Sequence, residues 1–151
     1  MAKDPQPGDI APEFELAGTH GPFRLSEHRG ERVVLLFYPG DNYTICTRQF
    51  CSYRDRVDQF SELGVRAVGI SPQDIASHRQ FIAKHGLTLP LLADSHHDVS
   101  KLYDVHSSVI GTKRATIVID ERGVVRYRHD NLLSLSYDSV NDLSTVLARL
   151  K

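Results

Sequence analysis

The sequence predicts an α/β fold: a mixed central sheet with helices on both faces and a β extension at the N-terminus. Three observations predict it. Short runs rich in β-branched and aromatic residues alternate with longer stretches whose apolar residues recur every three or four positions, the pattern of strands and helices built around one sheet. The run Val33 to Tyr38 is apolar throughout, as a strand buried on both faces must be. Two late runs, Ala115–Ile119 and Val124–Arg128, are separated only by Asp120–Gly123, which reads as a hairpin.

Taken in order, residues 1–13 read as an extended arm. Phe14–Leu16 and Phe23–Leu25 are short strands joined by a turn at Gly18–Pro22. Ser26–Gly30 is a turn into the buried strand at 33–38, which Pro39-Gly40-Asp41-Asn42 breaks. A helix is predicted from about 44 to 63, with Phe50, Tyr53, Val57 and Phe60 on one stripe and Gly64 as its stop. Val65–Ser71 is an interior strand. Ser71-Pro72 offers a hydroxyl cap with proline in the first helical position, for a helix to His85 that ends at Gly86. Leu89–Ala93 is a short strand. Asp98 caps a short helix, Val99–Tyr103, and Val105–Lys113 is a loop. Asp138 to Leu150 is the last helix, with Val140, Leu143, Val146, Leu147 and Leu150 on one stripe.

The 151 residues, 40% hydrophobic and 25% charged, suit one domain spanning 1–151 with a full core. A net charge of −1 gives no reason to expect a nucleic-acid or membrane partner. Residues 1–9 are polar and lack the features of a signal peptide, and no apolar run approaches spanning length. Two cysteines without an export signal lead us to expect a reducing, cytoplasmic setting.

Those two cysteines carry the chemistry. The helical stripe, projected back one turn, passes through Cys46, which places it in the first turn of a helix just past the carboxyl end of a buried strand. Free N–H groups and the positive end of the helix dipole favour an anion there. Sites in open α/β sheets also lie outside the carboxyl ends of strands. An ordinary thiol is only about 3% ionised at neutral pH, and the thiolate is the nucleophile. Cys51 follows five residues later. Across an intact helix that step separates the Cα atoms by roughly 8.6 Å, beyond the ~7 Å limit for a disulfide. Bonding of the two sulfurs therefore requires the helix to unwind. Buried free thiols are common in cores, so position alone leaves reactive and inert cysteines both open. The spacing is not that of a Cys-x-x-Cys dithiol.

Phe37-Tyr38-Pro39 through Cys46-Thr47-Arg48-Gln49, with Cys51 beyond, resembles a peroxiredoxin of the bacterioferritin comigratory protein, or peroxiredoxin Q, subfamily. Gly8-Asp9-Ile10-Ala11-Pro12, Gly69-Ile70-Ser71-Pro72, Phe81 to Ala93 and Arg114-Ala115-Thr116-Ile117 extend the resemblance over most of the chain. It implies a thioredoxin-like fold and a thiol peroxidase acting on hydrogen peroxide and organic hydroperoxides. Cys46 would be the peroxidatic cysteine and Cys51 the resolving one, joined in an intramolecular redox-active disulfide that thioredoxin or a similar dithiol reduces. Arg114 would stabilise the thiolate, with Pro39, Tyr43 and Gln49 around the pocket. No metal or organic cofactor is implied, and the resolving cysteine's place in the same chain favours a monomer. One position departs: the family's hydroxyl residue three before the cysteine is Tyr43 here, and Thr44 is two before it. Either Thr44 or the Tyr43 phenol serves, or the pocket is impaired.

The impaired case supports an alternative, a redox-sensing or chaperone-like protein with the same cysteine pair but weak turnover. A scaffold with inert thiols is a third reading. The remaining polar residues read as ordinary surface: Arg48, Arg54 and Arg56 as a solvated helix face, one of them a candidate to pair with Asp41 or Asp55, His78 and His85 as surface residues of the second helix, and His96, His97 and His106 as loop histidines and not a metal site. No nucleophile elbow or phosphate loop is present.

Overall fold

The computed structural model describes residues 5–41, 43–109, 111–130 and 137–150, so residues 1–4 of the expected arm lie outside it. In chain order the elements are β1 (Glu15–Leu16), β2 (Phe23–Arg24), a 3₁₀ turn at Leu25–His28, β3 (Arg32–Phe37), α1 (Thr44–Asp55) and α2 (Val57–Ser61). Then come β4 (Val65–Ser71), α3 (Ile75–His85), β5 (Leu91–Ala93), α4 (Asp98–Leu102), β6 (His106–Ser107) and β7 (Gly111–Thr112). The chain closes with β8 (Ala115–Ile119), β9 (Val125–Asp130) and α5 (Val140–Arg149).

Strand β3 is the axis of a five-stranded mixed sheet of order β5-β4-β3-β8-β9. It runs parallel to β4 and antiparallel to β8, and β4 is parallel to β5. Alternation along β3 divides the core in two. Val33, Leu35 and Phe37 face a cluster closed by Phe14, Phe23, Val99, Tyr103 and Val105. Val34, Leu36 and Tyr38 face the opposite cluster, with Cys46, Phe50 and Tyr53 of α1, Phe81 of α3, and Val140, Leu143 and Leu147 of α5. Both faces are covered, so β3 is apolar at every step instead of alternating. Gly69 of β4 leaves room for the second cluster to pack close to the sheet. A Cβ there would lie 2.7 Å from Leu91 Cδ2 and 3.1 Å from both Phe50 and Tyr38, so a larger residue would push α1 off the strand.

Several boundaries differ from those the sequence suggests. The helix expected at 44–63 breaks at Arg56, whose φ of −114° and ψ of 37° separate α1 from α2. The break turns Val57 off the apolar stripe, leaving it 39% exposed. Helix α3 is capped by Asp74, which accepts from the Ser77 N–H. The Ser71-Pro72 pair does not cap it, because Ser71 still belongs to β4. Its stop at Gly86 is as expected, in the left-handed conformation at φ 62°. Helix α4 starts at Asp98 itself and takes its cap from a distance. The Asp94 carboxylate accepts from the N–H groups of Val99 and Ser100. Within the expected loop 105–113, β6 and β7 pair as a small ladder. The last helix begins two residues later than expected, with a reciprocal capping box between Ser139 and Asp142.

Candidate active site

Strand β3 delivers the chain to the site, and α1 carries it away. Cys46 sits in the first turn of α1 and is fully buried. Tyr43 precedes the helix with extended backbone angles, and no side chain caps the helix start. Both sulfurs lie on α1 as free thiols, Cys46 buried and Cys51 half-buried. With the helix intact they hold the separation that a five-residue helical step dictates, too wide for a bond.

Arg114, just before β8, comes to Cys46 from across the sheet. Its Nη2 donates to Cys46 Sγ at 3.0 Å and its Nη1 donates to Gln49 Oε1 at 2.5 Å. Arg114 and Gln49 are almost wholly buried. Gln49 Nε2 in turn donates to the Tyr53 hydroxyl at 3.0 Å, which donates to the Asp138 carbonyl at 2.6 Å. Burial pushes the Tyr53 phenol well above its ordinary range, so it stays a neutral donor. One turn of α1 thus presents Cys46, Gln49 and, a turn later, Tyr53 to the same arginine-bearing edge. The positions i, i+3 and i+7 share a helix face. A guanidinium held at hydrogen-bond distance stabilises negative charge on the sulfur.

A second buried polar cluster gathers around Asp41 and His78. The Tyr38 hydroxyl donates to Asp41 Oδ1 at 2.7 Å. Asp41 Oδ2 accepts from Ser77 Oγ at 2.8 Å and from His78 Nδ1 at 2.7 Å. His78 Nε2 donates to the Leu92 carbonyl at 2.9 Å. The Asp41 N–H donates to Gln73 Oε1. Burial, and after it the Asp41 charge, pushes the Tyr38 phenol well above its ordinary range. His78 was expected on the surface of its helix and is instead fully buried. A lone histidine in a helical pattern carries no mark of its orientation. Only the adjacent fold brings Asp41 within reach.

Of the residues singled out in the sequence, Cys46, Gln49 and Arg114 converge. Pro39 is half-buried in the segment that leaves β3. Tyr43 is 54% exposed, with its ring against Gly40, and Thr44 is exposed in the first turn of α1. Neither is drawn into the buried contacts around Cys46. Arg54 is not simply solvated: it donates to the His85 carbonyl and pairs with Asp55 at 2.7 Å, tying α1 to the end of α3. His97 and His106 are half-buried and stacked edge to face, ring centroids 4.9 Å apart, while His96 is exposed. Sequence reasoning missed Asp41, Tyr53, Ser77, His78 and Asp138. Only the first-turn spacing of Tyr53 from Gln49 was readable, and the stripe had already claimed Tyr53 as core.

A family model described as the AhpC/TSA family matches residues 7–128. Among curated proteins, the chain is 39% identical over 127 residues to the chloroplastic peroxiredoxin Q of Triticum aestivum, covering 82% of this chain and 58% of that protein. It is 36% identical over 124 residues to peroxiredoxin Bcp of Bacillus subtilis, covering 77% of this chain and 79% of that one. The chain thus spans little more than half the length of the plant relative. Among solved structures, the peroxidoxin BcpB of Mycobacterium tuberculosis superposes with a TM-score of 0.85 at 29% identity, covering 97% of this chain and 99% of that one. The reduced 2-Cys peroxiredoxin of Plasmodium vivax superposes with a TM-score of 0.86 at 25% identity, covering 95% and 94%.

Proposed function

Because the chain belongs to the AhpC/TSA family and is a peroxiredoxin similar to the Q and Bcp members, we propose that it reduces hydrogen peroxide and organic hydroperoxides through Cys46. The observation that carries this reading is the 3.0 Å contact between Arg114 Nη2 and Cys46 Sγ inside a fully buried site. In the first step the Cys46 thiolate attacks one peroxide oxygen and the O–O bond breaks. The departing oxygen takes a proton and leaves as water or alcohol, and the sulfur, oxidised by two electrons, becomes a sulfenic acid. Arg114 is placed to donate to the sulfur and to the oxygens that gain charge, a task for a fixed fork of donors. Gln49 orients the guanidinium, and Tyr53 orients Gln49.

In the second step the Cys51 thiolate attacks the Cys46 sulfur. Hydroxide leaves and is protonated to water, and the Cys46–Cys51 disulfide closes. This requires the first turns of α1 to unwind. An external dithiol of the thioredoxin type restores both thiols by exchange. The reducing compartment that this cycle needs is consistent with a cytoplasmic protein, and a single chain holds both sulfurs, so a monomer suffices.

Stopped-flow oxidation of the reduced protein, followed by disulfide mapping, tests the scheme. We expect one equivalent of peroxide to remove two hydrogens from the intact mass and to link Cys46 to Cys51. A Cys46→Ser protein that consumes peroxide at the native rate overturns it. A second reading, redox sensing with weak turnover, is favoured by the exposure of Tyr43 and Thr44, the two residues nearest the position where the family carries its pocket hydroxyl. Fast oxidation with slow cycling under excess dithiol would select that reading.

A further inference from the structure

We propose that Asp41, held by Gln73, Ser77 and His78 at the start of α3, is the anchor that positions Cys46. The proposal rests on the peroxidase reading for the reaction it serves, but its geometry is independent of Arg114. Two facts single out the cluster. First, it is a buried polar cluster where apolar residues would pack at less cost. His78 Nδ1 faces a carboxylate and Nε2 faces the Leu92 carbonyl. Every polar atom of the Asp41 carboxylate and of the His78 ring is engaged. The side chains of Asp41 and His78 are completely buried.

Second, the pair is bonded to the chain segment that leads into the site. Asp41 is fixed by its carboxylate to Tyr38, Ser77 and His78, and by its N–H to Gln73. Tyr38 ends the apolar run of β3, and its ring lies edge-on to Phe50 at 4.7 Å, one turn beyond Cys46 on α1. Gly40 packs between Gln73 and the Tyr43 ring, where a Cβ would lie 2.9 Å from Gln73 Oε1 and 3.2 Å from Tyr43. Tyr43 is the residue from which α1 starts. Fixing Asp41 therefore fixes Pro39 and Gly40 on one side and the start of α1 on the other. The cluster takes its members from the segment after β3, the turn after β4 and the first turn of α3, with the Leu92 carbonyl of β5, the edge at which α/β sheets build their sites. Its members touch no reacting atom, so they are positioning residues.

The test uses the full chain and two probes of Cys46 in a Cys51→Ser background. Hydrogen peroxide needs alignment; iodoacetamide, a small alkylating agent, needs only access. We expect Asp41→Asn and His78→Asn to slow oxidation about tenfold to a hundredfold, the scale of a misplaced reacting group. The same variants should speed alkylation of Cys46 about tenfold by loosening the segment over it. Ser77→Ala should show the same opposed pair of effects in weaker form, and Ser77→Thr, which keeps the hydroxyl, should restore both rates. Labelling of Cys51, followed in a Cys46→Ser background, should not change. Unchanged Cys46 alkylation in every variant overturns the proposal. So does equal acceleration at Cys46 and Cys51, which would mean general loosening. If Asp41→Asn and His78→Asn do not fold, the Ser77 pair decides. If peroxide leaves the unmutated thiol untouched, the peroxidase reading fails, while the alkylation comparison still decides the positioning role.

Discussion

Two buried polar networks near Cys46 differ in kind. The Arg114 network reaches the sulfur directly and runs outward through Gln49 and Tyr53 to Asp138. It has a loose end: among the described residues Asp138 Oδ2 meets no donor, and Asp138 Oδ1 pairs with the half-exposed His129 at 2.9 Å. The Asp41–His78 network makes no hydrogen bond to the sulfur among the described residues, and each carboxylate oxygen and each ring nitrogen in it is engaged. Under the proposed peroxidase cycle, the difference would separate two tasks. A network that must respond to charge appearing and disappearing on sulfur ends in a donor aimed at it. A network that must hold shape through the cycle has its bonds filled.

The comparison is broken most severely at the sulfur. Cys46→Ser should abolish peroxide-driven loss of thiol, seen as full retention of the Cys51 thiol by mass. Arg114→Met should lower the rate of Cys46 oxidation about a hundredfold to a thousandfold, the cost of removing a donor from developing negative charge. Arg114→Lys should recover only part, because one ammonium cannot serve Sγ and Gln49 Oε1 in the same fork. Both are read by stopped-flow oxidation. Gln49→Leu leaves the Arg114 contact with sulfur in place but removes its brace, and should cost about tenfold in the same assay. Tyr53→Phe deletes one buried hydroxyl that both accepts and donates. It should destabilise the fold by about 1–3 kcal/mol in urea unfolding, with a smaller kinetic effect than Gln49→Leu. The mildest case is Cys51→Ser. It should leave the rate of the first step within about twofold and stop the protein at the sulfenic acid, trapped by a dimedone-type reagent.

The fold was legible because its signals are local. The unbroken apolar run at 33–38 marked the central strand, the 115–119 run matches β8 residue for residue, and Gly86 marked the end of α3. The break at Arg56 was not legible, since Phe60 continues the stripe of Phe50 and Tyr53 with no glycine or proline to interrupt it. The two sulfurs and Arg114 were readable from the motif around Cys46 and the strand after residue 114. Asp41 and His78 were not. They are 37 residues apart, and what joins them is the parallel pairing of β3, β4 and β5, which brings the start of α3 beside the end of β3. Asp94 was hidden for the same reason: its capping role at α4 needs a turn geometry that no spacing rule announces.

The interruption at Arg56 has a consequence for the ring of atoms that the two sulfurs would close. Helix α1 holds twelve residues, and Cys46 and Cys51 occupy its first two-thirds. Arg54, bonded to the His85 carbonyl, clamps the last turn, and a separate helix begins at Val57 with its own set of bonds. Unravelling that started at Thr44, as the proposed cycle requires, would therefore meet a fastened stop before residue 56. Under the proposed cycle the disturbance would stay within about three turns, and the chain beyond would be left as a ready template on which the coil rewinds once the sulfurs part.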